Sequence, residues 1–188
     1  MYKSIEEQKA TWAAIVGANA TDIAAPYSYQ WGDPLHDKAK NIQGKILGDY
    51  AKILFEYLKP NIKNKRVVDL GSFDGKWTKF MGEADSIVCA DIFPEGFDHI
   101  KKTINHPVLL FYLTLGNELD GIPGKSVDFV FSMDTLVRSE KQILSDYLKE
   151  IKRVLKPNGK VCLHLPCEEQ HLSWEHGFTQ INKQQIAD

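Results

Sequence analysis

The sequence has little cysteine, little net charge and no long apolar run, and each shortage excludes a class of protein. Three cysteines, Cys89, Cys162 and Cys167, make an odd count, which argues against a disulfide framework and predicts reduced thiols. Lys and Arg number 23 against 25 Asp and Glu, without the basic excess typical of proteins that bind nucleic acid. No apolar stretch approaches the roughly 20 residues that span a bilayer. We therefore expect a cytoplasmic protein without nucleic-acid or membrane partners.

The composition is that of an ordinary globular protein, with 43% hydrophobic and 26% charged residues. A chain of 188 residues can bury roughly 70% of its unfolded surface, enough for a core that needs neither disulfides nor a structural metal. We expect one structural domain, in which residues 1–60 form N-terminal helices and a cap loop and residues 61–188 form the core.

The N-terminal part of the chain predicts two helices separated by a long loop. Ser4 and Glu7 have the spacing of a capping box and predict a helix over about residues 4–19. The loop over residues 20–43 is long enough to suggest a function, and its aromatics Tyr29 and Trp31 either cover a ligand or tether the loop. An apolar stripe at helical spacing then predicts a helix ending at Pro60, with the members Ile46, Leu47, Tyr50, Ile53, Leu54, Tyr57 and Leu58.

After residue 65, short β-rich runs alternate with helical segments. The runs are apolar on consecutive positions, which is typical of parallel strands buried on both faces; they cover residues 66–70, 86–91, 108–113, 127–132 and 160–165. Helices are predicted over residues 75–82, 94–103 and 139–155, and a turn over 156–159. The alternation predicts an α/β fold: a Rossmann-like, doubly wound, mostly parallel sheet of about five strands, with helices on both faces and an N-terminal helical extension.

The polar residues that follow the strands are the candidates for binding, because ligands of open α/β sheets lie beyond the carboxyl ends of the strands. A glycine turn, Gly71–Gly75, follows the first strand and would let the backbone approach a ligand closely. The second strand ends in Asp91, whose carboxylate can accept hydrogen bonds from a ribose diol. Asn117 or Glu118, after the third strand, could read the edge of an adenine. The tip of the fourth strand, Ser132–Leu136, would lie beside the reactive end of a cofactor.

In their order along the chain, these segments resemble the class I S-adenosylmethionine-dependent methyltransferases. The resemblance covers about residues 65–166 and is carried by Val68–Gly75, Asp91, Gly116–Asn117, Ser126–Val130 and Arg153–Gly159. Trp31–Pro34 and Lys76–Thr78 are similar to a bacterial subgroup of the family. The resemblance implies S-adenosylmethionine as the cofactor and methyl transfer to a small-molecule acceptor.

The resemblance also implies a role for each position after the strands. Ten residues would bind the cofactor, namely Asp69, Gly71, Ser72, Gly75, Asp91, Ile92, Asn117, Glu118, Ser132 and Met133. Asp69, Gly71, Ser72 and Gly75 would surround its methionine part, Asp91 would hold the ribose and Ile92 would lie against the adenine face. Asn117 and Glu118 would read the adenine edge, and Ser132 and Met133 would flank the methyl-transfer end. Phe73 stands where the family usually has a glycine, and its side chain either points away from the cofactor or narrows its pocket.

Methyl transfer from a sulfonium is an in-line displacement, so alignment alone can supply roughly 7 to 11 kcal/mol and a catalytic base is optional. A base helps when the acceptor is a hydroxyl, and Asp134 and His164 are the candidates. No metal site is expected, because the spacing of the C-terminal cysteines and histidines, Cys162, His164, Cys167, His171 and His176, matches no common zinc pattern.

Two alternative functions are weighed beside methyl transfer. An NAD(P)-dependent oxidoreductase on a related sheet would need a G-x-G-x-x-G turn, and Phe73 occupies its second glycine. The other is a non-catalytic, methyltransferase-like binding module.

Only residues 166–188 follow the fifth strand, too few for the helix and strand hairpin with which the fold normally ends. We therefore expect that hairpin to be lacking, and either a truncated chain or a homodimer that covers the open sheet edge.

Overall fold

The computed structural model describes residue 50 and residues 52–165 of the chain. Several sequence predictions lie outside these residues: the helix over residues 4–19, the loop over 20–43 with Tyr29 and Trp31, and the segment after the fifth strand, which carries Cys167, His171 and His176. The division at residue 60 and the lack of a final hairpin also stay predictions. No helix within the described ranges has the length and apolar character needed to cross a membrane.

Five parallel strands form the centre of the described region, as the continuous apolar runs predict. They are β1 (Arg66–Leu70), β2 (Ser86–Asp91), β3 (Leu109–Leu113), β4 (Val127–Ser132) and β5 (Leu155–Leu163). Their order in the sheet is β3-β2-β1-β4-β5, and every neighbouring pair is parallel. The direction of winding reverses between β1 and β4, so a ligand crevice is expected beyond the carboxyl ends of these two strands.

Helices cover both faces of the sheet, which confirms the doubly wound architecture. Helix α1 (Glu95–Thr103) buries Phe97 and Ile100 in one core layer, where they join Val67 and Phe131 from the sheet. Helix α2 (Lys141–Val154) buries four side chains in the opposite layer, namely Leu144, Tyr147, Ile151 and Val154. The adjacent residues Val67 and Val68 of β1 point into different layers, as the alternation of side chains along a strand requires.

The apolar stripe before β1 winds differently from the α-helix that its spacing predicts. Residues Ile53–Leu58 form a π-helical segment that buries Leu54 and Leu58, and Lys59–Asn61 continue as a 3-10 turn. Leu54 and Leu58 stay in one buried layer, but i→i+5 bonding widens each turn and rotates other positions of the stripe away from it. Tyr57, expected on the buried stripe, is 48% exposed.

Two further segments differ from the sequence prediction because tertiary contacts override local pattern. The helix predicted over residues 75–82 is reduced to a 3-10 turn, Thr78–Phe80, whose neighbours Trp77 and Met81 are buried in the core. Strand β5 begins at Leu155 and therefore includes the residues predicted as a turn. That turn persists as a bulge, in which Asn158 takes a φ of 68° and the register with β4 shifts.

The side chain of Phe131 provides a test of the layer under α1, because it is fully buried and packs 5.1 Å from Trp77 between ring centroids. Phe131→Ala is expected to lower the free energy of unfolding by about 3 to 5 kcal/mol, since it removes buried contacts and leaves a cavity. The matched control Phe55→Ala removes a ring that is 58% exposed and should change stability by no more than about 0.5 kcal/mol. Urea unfolding of both variants measures the difference, and equal losses would contradict this layer assignment.

Candidate active site

The crevice at the reversal of strand order contains a cavity of about 80 Å³. Its walls come from the residues after β1, β2 and β4, namely Gly71, Ser72, Phe73, Asp74, Lys76, Trp77, Asp91, Ile92, Phe93, Met133, Asp134 and Thr135. Gly71 has a φ of 81°, and a Cβ atom there would lie 1.9 Å from Oγ1 of Thr135. The glycine therefore lets two loops approach at the centre of the crevice.

The carboxylate of Asp91 joins the loops that follow β1 and β2. It accepts hydrogen bonds from the backbone amides of Phe73, at 2.8 Å, and Phe93, at 2.9 Å. The two phenyl rings meet edge to face, with 6.2 Å between centroids, and both line the cavity. Phe73 thus belongs to the cavity wall, and the narrowing of the cofactor pocket by its ring stays a prediction.

Three carboxyl groups near the crevice are easier to protonate than aspartate in water. Burial, opposed by a 2.6 Å hydrogen bond from Thr78, raises the pKa of Asp69 to about 7. Burial likewise raises the pKa of Asp91 to about 6, and it raises the pKa of Asp74. Desolvated carboxylates favour a positively charged ligand, because a cation restores the interaction lost with water.

A smaller cavity, of about 30 Å³, lies on the other side of Gly71. Gly71, Asp91, Ile92 and Thr135 line both cavities; Leu70, Thr114, Gly116, Ser139 and Tyr147 complete the smaller one. The two cavities therefore share walls, and an extended ligand that entered both would contact Gly71, Asp91, Ile92 and Thr135.

The two residues expected to read an adenine edge are engaged elsewhere in the structure. The Glu118 carboxylate accepts hydrogen bonds from the Tyr112 hydroxyl and from the amides of Leu115 and Asp120 within its own loop. Lys149, Gln142 and the side chain of Asn117 together lower the pKa of the Asp146 carboxyl on α2, so Asn117 faces that helix. Their role in binding adenine stays a prediction.

Two buried hydroxyl groups have no hydrogen-bond partner within the described part of the chain: Ser72 Oγ, in the wall of the larger cavity, and Ser132 Oγ, at the end of β4. Buried polar groups of this kind usually find a partner in a ligand or an unseen water. With the desolvated carboxylates and the glycine cradle, they fit a polar, cationic cofactor in the crevice.

Asp134, after β4, connects three segments that are distant in sequence. One carboxylate oxygen accepts a 2.7 Å hydrogen bond from the Tyr50 hydroxyl, and the other lies 2.9 Å from Nδ1 of His164. Burial would raise the pKa of Asp134, but the His164 bond, the Lys76 charge and the Tyr50 hydroxyl together lower it below its usual value. Asp134 is therefore an anion at neutral pH and can only accept, so the His164 ring carries a proton on Nδ1 and donates it to this carboxylate.

His164 also lines a third cavity, of about 470 Å³, beside the crevice. The other walls are Tyr50, Ile53, Tyr57, Met133, Cys162 and Leu163. Met133 belongs to the walls of both this cavity and the crevice. A volume of this size suits a small molecule, so we call it the acceptor cavity.

The crevice brings together six of the residues proposed from the sequence: Gly71, Ser72, Asp91, Ile92, Met133 and Asp134. Asp69 lies below it against Thr78, and Gly75 packs against Ile100 and Ile104 of the α1 region. Sequence reasoning included Thr135 in the tip Ser132–Leu136 without giving it a role of its own, and it assigned Tyr50 to the apolar stripe. The position of Tyr50 within an apolar stripe could have indicated its polar contact, because a buried tyrosine hydroxyl usually needs a hydrogen-bond partner.

The parallel sheet and its crevice define a Rossmann-like, ligand-binding class of protein. A model of the family described as "Methyltransferase domain" matches residues 68–163, slightly more than half of the chain. The chain therefore belongs to this methyltransferase family, and the resemblance to class I S-adenosylmethionine-dependent methyltransferases is confirmed. A comparison with curated proteins finds no significant match.

Solved structures show the same fold. Phosphoethanolamine N-methyltransferase 1 from Haemonchus contortus, bound to phosphoethanolamine and S-adenosylhomocysteine, is similar with a TM-score of 0.66 and 18% identity, covering 89% of this chain and 34% of that one. An S-adenosylmethionine-dependent methyltransferase from Aquifex aeolicus gives a TM-score of 0.56 and 21% identity, covering 85% and 83%. One from Mesorhizobium loti gives 0.53 and 19%, covering 60% and 51%. The chain thus spans only part of the length of these relatives.

The raised pKa of Asp69 makes stability depend on pH in a definite direction. Between the unfolded value of 3.8 and about 7, the native state holds a proton that the unfolded state has released. The free energy of unfolding should therefore fall as pH rises through this window, by up to about 1.4 kcal/mol per pH unit for each such proton. Asp69→Asn, which can still accept a hydrogen bond from Thr78, should flatten the pH dependence of the free energy of unfolding, as measured by thermal or urea unfolding at several pH values.

The exposed Asp98 supplies the control, because Asp98→Asn should leave the slope unchanged. Equal slopes for the unaltered protein, Asp69→Asn and Asp98→Asn would contradict the burial effect.

Proposed function

We propose that the protein transfers a methyl group from S-adenosylmethionine, bound in the crevice, to a small molecule in the acceptor cavity. The observation that carries the proposal is the wall that the two cavities share at Met133, which would place donor and acceptor side by side. The family match supports the donor. The size of the acceptor cavity, and the small phosphoethanolamine ligand of the Haemonchus enzyme, support a small acceptor.

The walls of the two cavities in the crevice indicate which residues would hold the cofactor. Asp91 keeps accepting capacity on both carboxylate oxygens beyond its two backbone bonds, so it can also accept from ribose hydroxyls. The smaller cavity offers the side chains of Ile92 and Tyr147 to an adenine; the Tyr147 hydroxyl is itself hydrogen-bonded to Thr114 Oγ1 at 3.1 Å. Ser72 and Ser132 supply the unpartnered hydroxyls. Bound there, S-adenosylmethionine supplies an activated methyl group on a cationic sulfur.

The charge of the crevice favours this cofactor over a dinucleotide. Asp69, Asp74 and Asp91 have raised pKa values because they are desolvated, and a pyrophosphate would add negative charge to the same region. A sulfonium and an ammonium group would instead relieve it. Phe73 at the second glycine position also obstructs the close backbone approach that a pyrophosphate needs.

His164 is the proposed base and Asp134 its positioning residue. Asp134 fixes the ring by its bond to Nδ1 and stays ionised, so it stabilises the imidazolium that forms when Nε2 accepts a proton. Tyr50 holds the second oxygen of Asp134 and restricts rotation of the carboxylate. The sequence left Asp134 and His164 as alternative bases, and this geometry favours a division of roles.

Calorimetry with S-adenosylmethionine and S-adenosylhomocysteine tests the crevice. Both ligands are expected to bind, and Asp91→Ala should weaken the affinity by about tenfold or more because it removes charged hydrogen-bond acceptors. Asp98→Ala, a change of an exposed aspartate on α1, should leave affinity unchanged. Circular dichroism checks that the Asp91 variant still folds. No binding of either ligand at millimolar concentration would refute the proposed function.

Nitrogen NMR of the histidine rings tests the division of roles without a substrate. His164 should carry its proton on Nδ1 at neutral pH because Asp134 can only accept. His106 provides an internal reference of the opposite kind, since the Val108 amide donates to its Nδ1 and its Nε2 lies 2.9 Å from the Ala84 carbonyl oxygen. Asp134→Asn should weaken the Nδ1 preference of His164 and leave His106 unchanged. An Nε2 proton on His164 in the unaltered protein would contradict the assignment.

A further inference from the structure

Strand β3 lies at one edge of the sheet and has unpaired backbone groups. Among the described residues, it has a hydrogen-bonded neighbour, β2, on one side only. Just before β3, the carbonyl oxygen of Val108 accepts from the amide of Ile87. Just after it, the amide of Thr114 donates to the carbonyl oxygen of Asp91. Because alternate residues of a parallel strand bond to the same neighbour, the even-numbered positions face β2. The backbone groups of the odd-numbered residues therefore point to the outer edge, namely those of Leu109, Phe111 and Leu113.

The side chains along this edge are apolar and exposed on both faces of the sheet. Leu113 is 50% exposed and shares the α1 face with Phe111. Leu110 is 44% exposed and shares the α2 face with Tyr112. The strand Leu109–Leu113 contains no charge, no proline and no bulge, which are the features that usually prevent an edge strand from pairing. The edge of β3 is therefore suited to accept another strand.

The opposite edge of the sheet has the protective features that β3 lacks. Strand β5 contains Lys156, Pro157 and Lys160, and its register with β4 shifts at a bulge. Charged residues, proline and bulges all oppose strand addition. The sequence led us to expect a homodimer at the edge of the fifth strand, whereas these features favour β3 as the edge that a partner covers.

The charges of helix α1 indicate that the partner is a second copy of the chain. The helix lies against β3, with Nζ of Lys101 4.9 Å from the centroid of the Phe111 ring. Its first turn carries the exposed acids Glu95 and Asp98, and its last turn carries the exposed bases Lys101 and Lys102. A two-fold axis perpendicular to the sheet would make both the β3 strands and the α1 helices of two copies antiparallel, on the same face. The acidic turn of each helix would then face the basic turn of the other, and such complementary charges favour a specific partner.

We infer that two copies of this chain dimerise by antiparallel pairing of their β3 strands, centred on Phe111. This register uses all three residues whose backbone points outward. Phe111 would exchange both backbone hydrogen bonds with Phe111 of the partner subunit, and Leu109 would do so with Leu113 of the partner subunit. Leu110 would lie opposite Tyr112 of the partner subunit, so that apolar side chains exposed in one copy are covered by the other. The inference is independent of the proposed function, because none of these residues lines the crevice or the acceptor cavity.

Sedimentation equilibrium of the full chain tests which edge pairs. The unaltered chain should dimerise, and Leu113→Lys should weaken dimerisation by at least about tenfold, because it places a charge within the paired edge. Val161→Lys is the matched control, since Val161 is 46% exposed and belongs to the other edge strand; it should leave the dimer unchanged. Circular dichroism checks that both variants fold.

Three results of this measurement would overturn the inference. A chain that stays monomeric at about 100 μM would exclude a second copy and leave the edge of β3 to a strand of another protein. Equal weakening by Leu113→Lys and Val161→Lys would show that added charge alone causes the loss. A dimer that only Val161→Lys weakens would pair through β5.

Cysteine cross-linking tests the register. The Cα atoms of a hydrogen-bonded antiparallel pair lie about 5.5 Å apart, a separation that a disulfide can span. Phe111→Cys should therefore give a disulfide-linked dimer under mild oxidation. Leu113→Cys should not, because its two copies would lie roughly 14 Å apart, four residues along the strands. The unaltered chain, with its own three cysteines, measures the background. Cross-linking through position 113 but not through position 111 would overturn the inferred pairing.

Charge reversal on α1 tests why a second copy is chosen. Lys101→Glu with Lys102→Glu makes both ends of the helix acidic, and Glu95→Lys with Asp98→Lys makes both ends basic. Each double variant should dimerise with itself at least about tenfold more weakly than the unaltered chain, because like charges then face each other. An equal mixture of the two double variants should form a heterodimer, since opposite charges meet again. Undiminished self-association of both variants, or a mixture that stays monomeric, would overturn the assignment of a second copy as the partner.

Discussion

Two hydrogen bonds to the carboxylate of Asp91 organise the mouth of the sheet. Parallel pairing sets Leu70 of β1 against Ala90 of β2, so the two strands end side by side and their loops must leave in the same direction. The Asp91 carboxylate then accepts from Phe73 in one loop and Phe93 in the other. Because both loops form walls of the crevice, its shape depends on this one side chain and on its state of ionisation.

The same arrangement explains why the crevice suits a cation. The Asp91 carboxylate is removed from water and hydrogen-bonded to neutral backbone amides, which makes it a costly anion. Asp69, on the neighbouring strand, is buried in a similar way beside Thr78. Without a ligand, the protein therefore loses stability by burying these carboxylates, and such groups with shifted pKa values are frequent at functional sites. A positively charged ligand would restore favourable electrostatic interactions to the buried carboxylates. Affinity for a sulfonium compound and a stability that falls with rising pH would therefore both result from the burial of these carboxylates.

The sequence predicted the sheet well and the site in part, for reasons that particular residues make clear. Val67 and Val68 belong to a continuous apolar run, which is typical of a strand buried on both faces, and the structure places them in different core layers. Asp91 directly follows another run of this kind. Periodicity could not show that residues 53–58 wind as a π-helix, or that residues 156–159 bulge within β5. The hydrogen bond between Tyr50 and Asp134 spans 84 positions, and no local sequence pattern marks such a contact.

Backbone conformation ties the two halves of the site together. Phe73 and Asp134 have φ values of 42° and 61°, in the left-handed region that costs a non-glycine residue about 1 to 3 kcal/mol and that persists only where surrounding contacts impose it. In each case the contact is visible: the Phe73 amide is held by Asp91, and the Asp134 carboxylate is held by Tyr50 and His164. The first strained residue lies in the wall of the crevice, and the second holds Tyr50 and His164, which both line the acceptor cavity. Strain on both sides of Met133 therefore favours a fixed geometry for the donor and the acceptor that we propose to bind there, and alignment is the quantity on which an in-line transfer depends most.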